Sequence, residues 1–168
     1  MEEILQTERL RIRQFSLDDA LFMMNLTNTE DWLKNIGDRN TNSEDLAKQY
    51  LENGNIKSYR ERGYGGYLVE LKESGEPVGM CGLFKRDVFD HPDIGFAFLP
   101  EHYGKGYGFE AASAVLKYAL EELRLPKVLG ITLPSNTGSV RLLEKIGLRC
   151  TGKVRMPGDD EELLLFSS

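Results

Sequence analysis

Between residues 103 and 108 the chain reads Tyr103-Gly104-Lys105-Gly106-Tyr107-Gly108. An apolar run, Ile94 to Leu99, stands before it and is ended by Pro100; a helical periodicity built on Phe109, Ala112, Val115, Ala119 and Leu123 follows. The spacing predicts strand, glycine turn and helix in that order. The first N–H groups of a helix have no intrahelical acceptor, and glycines let them converge on phosphate oxygens without an obstructing side chain. The helix dipole adds a modest attraction for an anion.

Spacing separates this loop from two other phosphate sites. A Walker A loop requires Ser or Thr after its lysine, but Lys105 is followed by Gly106. A dinucleotide fingerprint requires G-x-G-x-x-G near the first strand, whereas Gly104, Gly106 and Gly108 give G-x-G-x-G late in a short chain. Taken alone, the glycines are equally consistent with a plain turn.

Upstream, Arg9 to Phe15 alternates as a strand, with Leu10 and Ile12 on one face and Arg9, Arg11 and Arg13 on the other. Ser16 with Asp19 marks a helix start, and Leu17, Ala20, Leu21 and Met24 carry that helix to about Leu26. Thr41 with Glu44 forms a capping-box pattern ahead of Leu46, Ala47, Tyr50 and Leu51. The stretch between these helices, around Trp32 to Gly37, reads as irregular or as a short helix. Gly54, Gly63, Gly65 and Gly66 punctuate the approach to a hairpin of Tyr67 to Leu71 and Pro77 to Phe84.

Downstream, Val128 to Leu133 alternates as a strand, and Asn136 and Thr137 lead into a helix carrying Val140, Leu143 and Ile146, stopped by Gly147. Leu148 to Arg155 and Glu161 to Phe166 close the chain as two strands. With 168 residues and no internal repeat or linker, residues 1–168 are expected to form one domain.

Composition narrows the function classes. A net charge of −6 disfavours a surface that tracks nucleic-acid phosphates and better suits a cationic partner. The opening MEEILQTERLRIRQF has no apolar run of a signal peptide, and no stretch has the length of a membrane span. Cys81 and Cys150 lack paired ligand spacing, which favours reduced, packed thiols over a disulfide or metal site. A cytoplasmic setting is the expectation.

Four ordered blocks together carry a resemblance. Leu5-Gln6-Thr7-Glu8-Arg9-Leu10, Ile94-Gly95-Phe96-Ala97-Phe98, the loop His102 to Gly108 extended by Phe109-Glu110-Ala111, and Asn136 to Leu148 resemble the GCN5-related N-acetyltransferase (GNAT) superfamily. Within it they resemble the branch of ribosomal-protein N-terminal acetyltransferases, the RimJ/RimL-like proteins. The resemblance implies an α/β fold: a mixed, mostly antiparallel, twisted sheet of about seven strands, helices on both faces and a V-shaped opening between central strands. It implies transfer of acetyl from acetyl-coenzyme A to a primary amine by direct attack in a ternary complex, with no metal.

The resemblance places coenzyme A on Tyr103, Gly104, Lys105, Gly106, Tyr107 and Gly108, with the pantetheine arm pairing near Phe98 and Leu99 and further contacts from Asn136 and Ser139. Two departures stand out. Tyr103 replaces the usual Gln or Arg at the head of the cofactor motif, and Leu143 falls where many members carry a tyrosine acting as general acid. An aliphatic side chain cannot donate a proton.

Asp93, at the start of the central strand, is the first candidate for general base; the alternative is a solvated strand-end carboxylate, since Asp ordinarily titrates near pH ~4. His91 and His102 titrate in a more suitable range but equally suit capping or packing. Ser139 is a candidate acid or proton relay, or a helix-capping residue. For the acceptor side, Trp32, Asn35, Asp38 and Arg39 are candidates, with Trp32 as an apolar wall and Asp38 attracting the amine. Packing is the favoured role of Trp32, and Tyr64 and Tyr67 suit either packing or pocket lining. The acceptor itself is first read as a protein or peptide N-terminal α-amino group, such as that of a basic protein. Small amines (a polyamine, amino acid or amino sugar) are the rival acceptors, and a non-catalytic coenzyme-A-binding module is the rival of another class. Monomer and homodimer are both open.

Overall fold

The structure, a computed structural model, describes residues 2–168. Eight strands form one sheet in the order β1-β2-β3-β4-β5-β6-β8-β7, where β1 is Glu3–Gln6, β2 Leu10–Gln14, β3 Gly66–Leu71, β4 Pro77–Phe84, β5 Asp93–Phe98, β6 Leu129–Thr132, β7 Arg149–Arg155 and β8 Glu162–Ser167. The count exceeds the seven expected because Glu3–Gln6 pairs antiparallel with β2, with Leu5 opposite Ile12. Four residues beside charged neighbours give too short an alternation to read as a strand without its partner.

Helices cover both faces. On one, α1 (Ala20–Thr27) and α3 (Glu44–Leu51) bury Met23, Leu26, Ala47 and Leu51 against Leu68 of β3 and Met80 of β4. On the other, α5 (Tyr107–Lys117) sets Ala111, Ala112 and Val115 against Leu10, Ile12, Val69 and Val78. Strand parity sorts the side chains: Leu68 belongs to the first core, while its neighbours Tyr67 and Val69 belong to the second. Tyr67 therefore packs, 1% exposed, with its ring stacked on Tyr59 at 5.7 Å.

Between α1 and α3 lies the short helix α2 (Glu30–Asn35), capped by Thr29, whose hydroxyl accepts from the Trp32 N–H. The Ser16 and Asp19 start is a full capping box, as the sequence suggests. Thr41 does not cap α3; Ser43 does, accepting from Leu46 N–H at 3.1 Å. Thr41 is instead buried, its hydroxyl 2.6 Å from that of Thr27 on α1. The glycine-punctuated stretch after α3 also holds more helix than expected: a π-helical turn, Glu52–Ile56, runs into α4 (Lys57–Arg62), which ends at Gly63 with φ 79°. A second π turn, Tyr118–Glu122, ends α5, and α6 (Thr137–Lys145) packs between α5 and β6.

All neighbouring strands are antiparallel except β5 and β6. These two pair in parallel at one position, Asp93 with Leu129. Past it, β5 stays in register with β4 from Asp93 to Phe98, while β6 stays in register with β8 from Leu129 to Thr132. Each strand follows its antiparallel partner, so the two diverge and leave one edge of β5 without a strand. That is the V-shaped opening.

Candidate active site

The divergence opens into a cavity of about 1140 Å³. Ile94 to Phe98 form one limb, Ile131 and Thr132 the other, and the glycine loop closes the end beyond Phe98. Gly104 and Gly106 take φ values of 75° and 82°, a region in which side chains are strained. Gly106 is the N-cap of α5 and provides no side-chain cap. The first intrahelical bond runs from Glu110 N–H to Gly106 O at 3.1 Å, leaving the N–H groups of Tyr107, Gly108 and Phe109 without helical acceptors; Tyr107 and Gly108 stand on the cavity wall. Such a cradle suits a diphosphate.

The loop is held from behind by residues that local sequence patterns do not announce. Arg9 donates from Nη1 to Lys105 O at 2.8 Å and from Nε to Glu110 at 2.7 Å, and lies over the Tyr107 ring at 4.6 Å. Tyr103 bridges to α2, its hydroxyl donating to Asp31 at 2.8 Å. Burial, and then the Asp31 carboxylate it serves, push the Tyr103 phenol up to about 12, so it stays protonated.

Asp93 sits where β5 and β6 part, 2% exposed and on the cavity wall. It is not a solvated strand-end carboxylate: Arg86 Nε donates to its Oδ1 at 2.8 Å. Burial pushes its pKa above the ordinary Asp value, with Arg86 opposing. Sequence reasoning missed Arg86, although the β4–β5 hairpin pairs Phe84 with Asp93 and so delivers the residue two past Phe84 to this carboxylate.

Asn136 and Ser139 both line the cavity from the start of α6. The Asn136 carboxamide oxygen accepts the Ser139 N–H at 3.3 Å, so Asn136 is the cap, while the half-buried Ser139 hydroxyl is left for the cavity. Leu143 is 1% exposed, and a β-carbon on Gly130 of β6 would come within 2.8 Å of it. It fills the interface between α6 and β6, also stands on the cavity wall, and offers no proton.

Trp32, Asn35 and Arg39 line the cavity, but Asp38 does not; its carboxylate accepts from the Asn40 N–H in a local turn. Tyr64 and Tyr67 are core residues off the cavity wall. Leu99 also lies off the wall: its side chain packs against the core under α1 and α3, and its N–H is already given to Val78 O. Lys105 is exposed and its carbonyl is committed to Arg9. His102 is a wall residue, buried, with neither ring nitrogen hydrogen-bonded. The Trp32 Nε1 is likewise buried without an acceptor.

Cys81 is buried, and burial raises its thiol pKa; Cys150 is exposed. Among the described residues no helix is long and apolar enough to cross a membrane.

The fold agrees with known proteins. The acetyltransferase (GNAT) domain model matches residues 9–149, and the chain belongs to that family of acetyl-coenzyme-A-dependent acetyltransferases. YkkB of Bacillus subtilis is 34% identical over 64% of this chain and 65% of its own length, so the match spans just under two thirds of that protein. YnaD of the same organism, described as an uncharacterized N-acetyltransferase, is 30% identical over 88% of this chain and 84% of its own. A GNAT-family acetyltransferase structure from Bacillus anthracis superposes with a TM-score of 0.80 at 28% identity, covering 98% of this chain and 96% of that one. Two structures below 25% identity share the fold. They are the ribosomal L7/L12 α-N-protein acetyltransferase RimL in complex with coenzyme A (TM-score 0.82, 15% identity, 99% and 97% covered) and a spermidine N-acetyltransferase SpeG variant from Vibrio cholerae (TM-score 0.74, 20% identity, 96% and 94% covered).

Proposed function

We propose that this acetyltransferase acetylates a primary amine by direct attack on acetyl-coenzyme A bound between β5 and β6. One observation carries the reading: a single cavity is lined by the glycine loop at the head of α5, by both limbs of the strand opening, and by α2 with Arg39. The diphosphate takes the N–H groups of Tyr107, Gly108 and Phe109, and the pantetheine amides take the unpaired edge of β5 near Phe98. The thioester then lies at the fork, beside Asp93 and Ser139.

The amine lone pair attacks the thioester carbonyl carbon, the C–S bond breaks, and sulfur leaves with its electron pair. The new amide nitrogen sheds a proton, which Asp93 accepts directly or through water. Burial helps here, since a carboxylate with a raised pKa is a stronger base near neutral pH. The departing thiolate, with a thiol pKa of ~8.5, takes a proton from water, either directly or relayed through the Ser139 hydroxyl, which gives up one proton and regains another. The two free cysteines fit a reducing, cytoplasmic setting.

A peptide α-amine is the acceptor that the RimJ/RimL-like resemblance suggests, and a polyamine is the acceptor named for the SpeG variant. The wall charges argue against the polyamine: Lys34, Arg39, Arg62, Lys85 and Arg86 line the cavity with two carboxylates, Asp31 and Asp93, and of the five cations Arg62 is also paired with Glu61 at 3.9 Å. Mass-spectrometric detection of acetylated products from peptide and small-amine libraries tests the reading. Coenzyme A binding with no amine acetylated in either library would overturn it in favour of a binding module.

A further inference from the structure

A basic cavity in an acidic chain is the feature that the acetyl-transfer reading leaves unexplained. The chain carries 21 Lys and Arg against 27 Asp and Glu, yet five Lys or Arg and two Asp line the cavity. One of those acids, Asp93, is already engaged by Arg86, and the other, Asp31, accepts from Tyr103.

The position of these cations separates acceptor from cofactor. Arg86 is tied to Asp93, the first residue of β5, whereas the glycine loop follows Phe98, the last. Five residue steps of ~3.3 Å put about 17 Å between the two ends. The phosphate-binding amides and the Arg86 cluster therefore lie at opposite ends of one strand. Arg39 and Tyr50 stand on the same cavity wall as Arg86; burial raises the Tyr50 phenol's pKa, and the charges of Arg39 and Arg86 oppose that rise. Arg39 is exposed, and among the described residues no carboxylate lies within 4 Å of its guanidinium. Lys85 is less available, its ammonium donating to the carbonyls of Arg86 and Phe89.

We infer that the acceptor is an amine carrying its own anionic group, a carboxylate or a phosphate, which docks on Arg39 and the Tyr50 hydroxyl while the amine points to the fork beside Asp93. The inference rests on the acetyl-transfer reading for the amine's position, but the anion site stands on Arg39, Tyr50 and Arg86. A guanidinium presents a planar fork of donors that matches a carboxylate or phosphate. The same charges repel a polyamine, whose second cation would sit at this end of the cavity. They also act at a distance, raising the local concentration of an anionic amine.

The test pairs each anionic amine with a neutral or cationic counterpart: glucosamine 6-phosphate with glucosamine, glutamate with glutamine, a peptide with Asp at its second position with the Asn peptide, and spermidine alone. At least one anionic member is expected to exceed its counterpart by tenfold or more in kcat/KM, and the winning pair identifies the anion as phosphate, free carboxylate or peptide carboxylate. Arg39→Ala should raise the KM for that acceptor at least tenfold and leave the Kd for coenzyme A within twofold; Arg39→Lys should recover part of the loss. Arg39→Glu should turn the preference toward spermidine. Equal rates within every pair, spermidine as the best wild-type acceptor, or a coenzyme A affinity that falls with Arg39→Ala would overturn the inference. Titration of the same amines into the coenzyme-A-loaded protein by calorimetry reads the anion site without turnover. Binding of an anionic amine that Arg39→Ala removes sustains the inference even where no product forms, and no binding by any of them overturns it.

Discussion

Arg9 and Glu110, 101 residues apart, are joined by a 2.7 Å bond from Nε to Oε1, and the same guanidinium donates to Lys105 O at 2.8 Å. The strand lead-in thereby braces the glycine loop at two points. Burial raises the Glu110 pKa, but the Thr7 hydroxyl, the Arg9 N–H and the Arg9 guanidinium outweigh it, so the value lies below the ordinary Glu value of 4.5. A carboxylate depressed in the fold contributes stability above its unfolded pKa and loses it as pH falls through the folded one. Arg9→Ala should weaken coenzyme A binding several-fold by calorimetry with little loss of thermal stability at pH 7. Glu110→Gln should lower Tm at pH 7 and leave it less sensitive to acid below about pH 4.5 than the parent. Unchanged coenzyme affinity in Arg9→Ala would show that the brace has no bearing on the loop.

Gly106 gives a sharper test of the cradle. Its φ of 82° strains any side chain, and a β-carbon would come 3.3 Å from Arg9 Nη2. A non-glycine residue in the left-handed region costs about 1–2 kcal/mol, small against the stability of a domain. Gly106→Val should therefore stay folded by circular dichroism while losing coenzyme A affinity by more than thirtyfold. Intact folding with unchanged affinity would place the diphosphate elsewhere.

Patterns that repeat locally were legible from residues alone. The periodicity of α5, the Ser16 cap and the strand–glycine–helix order of the cofactor end all depend on neighbours within a few positions. Choices between equivalent local partners were not: Thr41 and Ser43 both suit a helix start, and the buried hydroxyl contact with Thr27 decides between them. Nor were facings set by distant pairing. Tyr67 and Leu68 differ only by strand parity, and Asp38 and Arg39 only by which of them a turn directs inward. The fork between β5 and β6 has no local signature, because it arises from each strand following a different antiparallel partner. Only the resemblance to the GNAT superfamily implies it.

Leu143 shows what the missing tyrosine means physically. The side chain is 1% exposed and packs on Gly130, where an added β-carbon would meet it at 2.8 Å. Leu143 also stands on the cavity wall, but on the side packed against β6 a tyrosine from Leu143→Tyr overfills the space, at a cost of about 1–3 kcal/mol. Thermal or urea unfolding should show that loss, and kcat should not rise. A gain in kcat with a shifted basic limb would mean that a phenol here reaches the thioester after all, and that the aliphatic residue had limited the rate.

The fork carboxylate sets the pH dependence. Burial raises the Asp93 pKa above its ordinary 3.8, and Arg86 holds the rise in check. If the ionised form accepts the amine proton, kcat falls as acid protonates Asp93, so the acid limb lies above pH 3.8. Removing the guanidinium with Arg86→Ala takes away the opposing influence and should move that limb to higher pH, not lower. Asp93→Asn should abolish the limb and reduce kcat by about 10²–10⁴-fold while the Kd for coenzyme A changes little. The two variants separate base from brace: a purely structural Asp93 would lower stability in both without moving the pH–rate profile of the surviving activity. Profiles of kcat against pH for the parent and Arg86→Ala, taken at saturating acetyl-coenzyme A and amine, decide the matter, and coincident acid limbs would remove Asp93 from the proton path.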